Sequence, residues 1–281
     1  RPAQKFGRNV YLFLITIFPT IMKSKIDKVL LVLSGKGGVG KSTISTHVAL
    51  ILSSKGLKVG LLDLDLCGPS IPRMLGVEKE EVFQCPDGWV PVQCGPNNQM
   101  SVMSMGFLLN SRNDSVIWRG PKKSSMIKQL LENVAWGNLD YLIIDTPPGT
   151  SDEHIVAVEE IKKLNIPKGA LILTTPQAVS INDVRREIDF CRKGKIKICG
   201  LVENMSGFVC PNCNECTNIF SSTGGKSLAE LCSIEFIGSV PIMPTISESG
   251  DSDNPSTIPP KDSEYYEILN HVSNVIQAEI Y

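Results

Sequence analysis

The stretch SGKGGVGKST at residues 34–43 constrains this chain more than any other. Gly35, four further residues and then Gly40-Lys41-Ser42 match the spacing G-x-x-x-x-G-K-[ST] in full. Glycine accepts the backbone angles that turn successive N–H groups inward, so Gly35, Gly37, Gly38 and Gly40, with Val39 among them, can form an anion nest. A helix opening behind the nest adds the partial positive charge of its N-terminus. In such a loop Lys41 reaches the β- and γ-phosphates of ATP, the Ser42 hydroxyl ligates Mg²⁺, and Thr43 completes the motif. The motif requires a strand before it and a helix after it. The apolar run 29–33 and the helical stretch 42–54 supply both.

Further apolar runs recur at 59–64, 141–144, 170–173, 198–202 and 236–240. They are continuous rather than alternating, which is how strands covered on both faces of a parallel sheet read. Helical stretches such as 183–193 lie between them. The expected fold is α/β: a doubly wound, mostly parallel sheet with helices on both faces, built around a P-loop. Residues 22–281 read as one ATPase domain, with a polar loop at 247–264 and a terminal helix over 265–280. Residues 1–21 carry a basic start and then an apolar run broken by Pro19. Their origin is open between sequence upstream of a natural start at Met22 and a targeting segment.

Two carboxylate sites follow the loop. In GLLDLDLCGPS, Asp63 and Asp65 stand at the end of the second strand, and alternate positions on a strand face the same way, toward the phosphates. In DYLIIDTPPGTSD, Asp145 ends a strand and is the expected acid holding Mg²⁺ through water, with 146–152 looping beside the γ-phosphate. VENMS places Asn204 just after another strand. His47, His154 and His271 lack ligand spacing and read as structural.

The chain has nine cysteines, and Cys210, Cys213 and Cys216 fall within MSGFVCPNCNEC, in surroundings that read as a loop over 205–225. Cys67, Cys85, Cys94, Cys191, Cys199 and Cys232 are scattered and read as small buried hydrophobes. A structural zinc site wants four ligands, usually two C-x-x-C pairs, and no second pair is present. Cys216 offers a third ligand, and Cys199 or Cys232 a distant fourth. Basic and acidic residues nearly cancel, 28 against 29, so there is no global electrostatic case for nucleic acid or an anionic membrane.

Lys36, a second lysine inside the loop, makes the motif resemble the deviant Walker A class that includes MinD, ParA and the nitrogenase iron protein. The resemblance implies that Lys36 reaches across a dimer interface to the partner's nucleotide, that Asp65, assisted by Asp63, activates the attacking water, and that Asn204 recognises adenine. It also implies a face-to-face dimer. Cys210 and Cys213 from two protomers would then give four thiolates, the ligand count of a [4Fe–4S] cluster.

Together GKGGVGKST, DLDLCGPSIPRMLG, WRGPKKSSMIKQLL, DYLIIDTPPGTSDEH and VENMSGFVCPNC look like the Mrp/Nbp-like P-loop ATPases that scaffold Fe–S clusters. There is no cysteine before Cys67, so the chain resembles the Cfd/NUBP sort, which lacks an N-terminal four-cysteine motif. The resemblance implies slow ATPase activity, a cytoplasmic location, a homodimer or a complex with the longer Nbp-type homologue, and cluster transfer through targeting factors to cytosolic and nuclear apoproteins. Two alternatives stay open: a MinD/ParA-like positioning ATPase, and a zinc-stabilised nucleotide switch. The tail SEYYEILNHVSNVIQAEIY has no lysine or arginine, which argues against membrane docking and so against the first.

Overall fold

The computed structural model describes residues 25–66, 68–108, 120–149, 152–209, 216–217, 224–244, 246 and 258–281. Residues 1–21, Cys210 and Cys213 lie outside them. The six apolar runs are all strands: β1 (Lys25–Ser34), β2 (Val59–Asp63), β7 (Asn138–Asp145), β8 (Lys168–Thr174), β9 (Lys197–Val209) and β11 (Phe236–Ile242). Five short strands join them: β3 (Phe83–Cys85), β4 (Gly88–Val90), β5 (Val92–Cys94), β6 (Met100–Ser104) and β10 (Cys216–Thr217). The main sheet runs β10-β9-β8-β1-β7-β2-β6-β5, with β11 also paired to β9. Apart from β5 and β10, which pair antiparallel with β6 and β9, its pairings are parallel. The hairpin β3–β4 stands apart.

Both faces of this sheet are covered, which explains the unbroken apolar runs. In β1 side chains alternate between two cores. Leu30 and Val32 join Ile44 and Val48 of α1 (Lys41–Ser54) and Leu269, Val272 and Ile276 of α7 (Glu264–Glu279). Val29, Leu31 and Leu33 meet α3 (Gly120–Glu132) through Ile127 and α4 (Asp152–Lys163) through Val158 and Ile161. A third cluster packs α5 (Ala178–Lys193) and α6 (Gly224–Cys232) together through Val184, Ile188 and Leu228. A single turn, α2 (Ile71–Met74), follows β2. The terminal helix begins at Ser263, whose hydroxyl accepts the Tyr266 N–H as an N-cap.

Two sequence expectations need correction. Asn204 lies within β9, because β11 extends the ladder past the end of β8: Val240 pairs with Asn204 and Ile242 with Phe208. For the same reason 205–225 is not loop throughout. Met205–Val209 is strand, Cys216 and Thr217 pair back on Val209 and Phe208, and α6 has begun at Gly224. Of the scattered cysteines, Cys94, Cys191 and Cys199 are buried, but Cys85 and Cys232 are only half-buried; Cys67 is outside the described residues.

Candidate nucleotide site

In an open α/β sheet, ligands bind outside the carboxyl ends of the strands where the strand order turns back on itself. Here β1 sits between β8 and β7 and releases the glycine loop at that edge. The loop borders a cleft of about 180 Å³, whose other walls include Asp65, Ser70, Met74 and Pro148. Gly38 and Gly40 have φ of +75° and +82°, in the left-handed region that favours glycine. A Cβ on Gly40 would also collide with the Asn204 side-chain amide. Gly40 precedes α1 with no side-chain cap, which leaves the first-turn N–H groups for a ligand.

Asp145 is the hub. It is fully buried and accepts from Lys41 Nζ (2.8 Å) and Ser45 Oγ (2.9 Å) at Oδ1, and from Ser42 Oγ (2.6 Å) at Oδ2. The cation and both hydroxyls come from one face of the first turn and a half of α1, so the motif lysine, the motif serine and the strand-end acid form one network. The following loop is fixed to β1: Thr146 Oγ1 donates to the Val32 carbonyl, and the Gly149 N–H donates to that of Ser34.

The two aspartates after β2 part company. The strand ends at Asp63, and the parity that would aim Asp63 and Asp65 alike ends with it. Asp65 lines the cleft; Asp63 is buried beneath it, opposite Asp145 in the sheet register. Asp63 accepts from Ser104 Oγ (2.9 Å) and from the Asp65 N–H (3.0 Å). Burial, reinforced by the charge of Asp145, pushes its carboxyl up to about 7. Between an unfolded value of 3.8 and about 7, the folded chain then holds a proton that the unfolded chain has lost, so stability falls as pH rises through that window. Asp63→Asn should raise the melting temperature of the nucleotide-free protein at pH 8 by several degrees, at roughly 2–4 °C per kcal/mol, and leave it nearly unchanged at pH 4. Equal gains at both pH values would show that the carboxyl is not neutral in the fold.

Lys36 is half-buried and donates to Gln177 Oε1 at 2.8 Å, at the start of α5 in its own chain. Asn204 Nδ2 donates to the Val39 carbonyl at 2.8 Å, so a side chain from β9 holds the glycine loop itself. Val39 is buried, while Gly37 and Gly38 are exposed and Thr43 borders the cleft. Among the described residues, no cluster of three or more His, Cys, Asp or Glu is placed to hold a metal ion. The sequence reading missed Ser45, Ser104 and Gln177. Ser45 was findable, since it stands one helical turn after Lys41. Gln177 lies 141 positions from Lys36, and no local pattern announces the pairing.

The profile of the ParA family, described as NUBPL iron-transfer P-loop NTPase, matches residues 25–277. The cytosolic Fe-S cluster assembly factor Nubp2 homolog of Aedes aegypti is 56% identical over 92% of this chain and 99% of that protein. The NUBP2 homolog of Nematostella vectensis is 61% identical over 79% and 82%. A nucleotide-binding protein of Archaeoglobus fulgidus, solved in complex with ADP, is 38% identical with a TM-score of 0.73, over 86% of this chain and 92% of that one. The septum site-determining protein MinD of Pyrococcus horikoshii, solved with Mg-ADP, shares the fold at 19% identity, with a TM-score of 0.65 over 90% and 96%.

Proposed function

This chain belongs to the ParA/NUBPL family of P-loop NTPases, and from that premise we propose that it is a cytosolic, ATP-dependent scaffold for Fe–S cluster assembly. The cluster is its cargo. Two protomers, or this chain and the longer Nbp-type homologue, would hold a [4Fe–4S] cluster between them on Cys210 and Cys213 of each chain and pass it to apoproteins through targeting factors. The relatives named as cytosolic Fe-S cluster assembly factors support the setting. The observation that carries the reading is on β9: one strand bears Asn204 against the glycine loop and, five residues on, delivers the chain at Val209 to the cysteine segment. The positioning alternative has less support. In α7, Tyr265, Leu269, Val272 and Ile276 are buried in the core and Tyr266, Ile268 and Val275 pack against it, and no helix among the described residues is long and apolar enough to cross a membrane.

The residues fit nucleotide and Mg²⁺. The uncapped start of α1 and the open left-handed glycines form an anion cradle, and Ser42 beside Asp145 forms a hard-oxygen pair. Mg²⁺ bound there would neutralise charge developing on the phosphates. Lys41 would exchange Asp145 for phosphate, which leaves the carboxylate to the ion's water shell. Asp65, in the cleft wall, would orient a water. Asp63, buried and proton-holding, would support Asp65 through its backbone N–H. Lys36 would leave Gln177 for a partner's nucleotide.

Anaerobic reconstitution with iron and sulfide tests the scaffold. About four irons per two chains, with visible charge-transfer absorbance, is the expected result. Stoichiometric zinc with no iron uptake would favour the zinc-stabilised switch. Lys36→Ala tests the trans role: ATP affinity should change less than about fivefold, as for a solvated cation. Turnover should fall by about a thousandfold, on the scale of cations supplied in trans. Equal losses in affinity and turnover would place Lys36 on its own chain's nucleotide.

A further inference from the structure

Glu203 immediately precedes Asn204 and is buried, yet neither the phosphate chemistry nor the cysteine ligands use it. Both of its carboxylate oxygens are occupied. Ser206 Oγ donates to Oε1 at 2.7 Å, and the Gly225 N–H donates to Oε2 at 2.5 Å. Gly225 lies in the first turn of α6, where unpaired N–H groups and the helix dipole favour an anion. The approach is close: a Cβ at 225 would sit 2.8 Å from Glu203 Oε2 and 3.1 Å from Thr174 Cγ2, so the carboxylate would have to shift. One carboxylate thus joins the two described flanks of the cysteine-bearing segment: β9, which ends at Val209, and α6, which begins at Gly224.

Successive strand residues face opposite ways. Glu203 therefore reaches α6 while Asn204 reaches the Val39 carbonyl in the glycine loop. The next residue, Met205, has φ of +59°, a sparsely populated setting for a side chain of that size. Such settings are strained and persist where surrounding contacts hold them. Here the contacts are the two grips on either side: Asn204 on the P-loop, and Glu203 on Ser206 and Gly225.

We propose that Glu203 is a positioning residue that ties the cysteine-bearing segment to the nucleotide cleft, so that occupancy of the cleft is felt at Ser206 and Gly225. This rests on the scaffold reading. A nucleotide that draws the Asn204 amide from Val39 moves the residue joined to Glu203 by a single peptide bond. The displacement then reaches both sides of the segment through one carboxylate. A cap with no such role would stabilise α6 equally in every nucleotide state.

The test is hydrogen exchange on the full chain, with and without a saturating non-hydrolysable ATP analogue and Mg²⁺, with iron content after reconstitution measured separately. In the wild type the analogue should change exchange at 206–209 and 224–232. In Glu203→Ala, exchange at Gly225 should be about tenfold faster in both states, the cost of a lost cap. The difference between the two states should vanish although the analogue still binds. Glu203→Gln keeps an acceptor for Gly225 and should restore the difference. If Glu203→Ala fails to fold, Ser206→Ala removes one arm alone and should diminish the difference. A wild-type chain that shows no nucleotide response, or a Glu203→Ala or Ser206→Ala chain that keeps the full response, overturns the coupling. Iron-free wild type sinks the scaffold reading instead, and the exchange data still decide the role of Glu203.

Discussion

Lys41→Ala should abolish productive ATP binding and also weaken the empty fold. The ammonium is the only cation on Asp145 among the described residues, and both groups are buried, at 6% and 0% exposure. Truncating one partner of a buried charge contact with a ligand costs on the order of 2–5 kcal/mol, so the loss of ATP affinity should be at least about 30-fold by titration calorimetry. Among the described residues, the change leaves the side chain of Asp145 in the empty protein with only the Ser42 and Ser45 hydroxyls. An uncompensated buried charge costs about 3–5 kcal/mol, which a thermal melt will show. The double variant Lys41→Ala/Asp145→Asn separates the two effects: the melting temperature recovers, and ATP binding does not. If the single variant melts like the wild type, the Lys41–Asp145 pair does not hold the empty site together. If it binds ATP normally, the phosphates find their counter-charge elsewhere.

That network was legible as parts and not as a whole. Glycine spacing is backbone chemistry, so residues 34–43 announce their conformation without tertiary help. The six apolar runs were legible because a sheet covered on both faces removes the polar alternation that would have obscured them. The strand β6 was missed because MSVMS contains two serines, although both are buried. Tertiary partners explain them: Ser104 donates to Asp63, and Ser101 hydrogen-bonds Gln93 on β5. Asn204 looked like a residue just past a strand because what extends β9 is β11, more than thirty positions later. Asp63 and Asp65 looked equivalent because parity is a local rule, and it fails where the strand stops. The misses at β6 and Asn204 are cases of a distant partner overriding a local pattern.

Cys210→Ala and Cys213→Ala should each lose the iron and keep ATP binding, whereas Cys216→Ala should retain most of the iron. Two thiolates from each of two chains would satisfy a cubane, and a third would exceed its need. The fold adds an argument about who else could serve. Burial pushes the Cys94, Cys191 and Cys199 thiols up to about 12, so none is a thiolate at neutral pH. Cys199 is moreover the third residue of β9 and Val209 the last, which separates them by about 30 Å at strand spacing. Of the two distant candidates, Cys199 and Cys232, a single-chain site built on Cys216 would take its fourth ligand from Cys232, the last residue of α6 and only half-buried. Gly224 opens that helix, so Cys232 stands about 12 Å along it. Iron analysis of the four alanine variants decides between the models. Loss of iron at 210 and 213 alone supports the shared site. Loss at 216 and 232 as complete as at 210 and 213 would place four ligands in one chain and remove the need for a partner to complete the site.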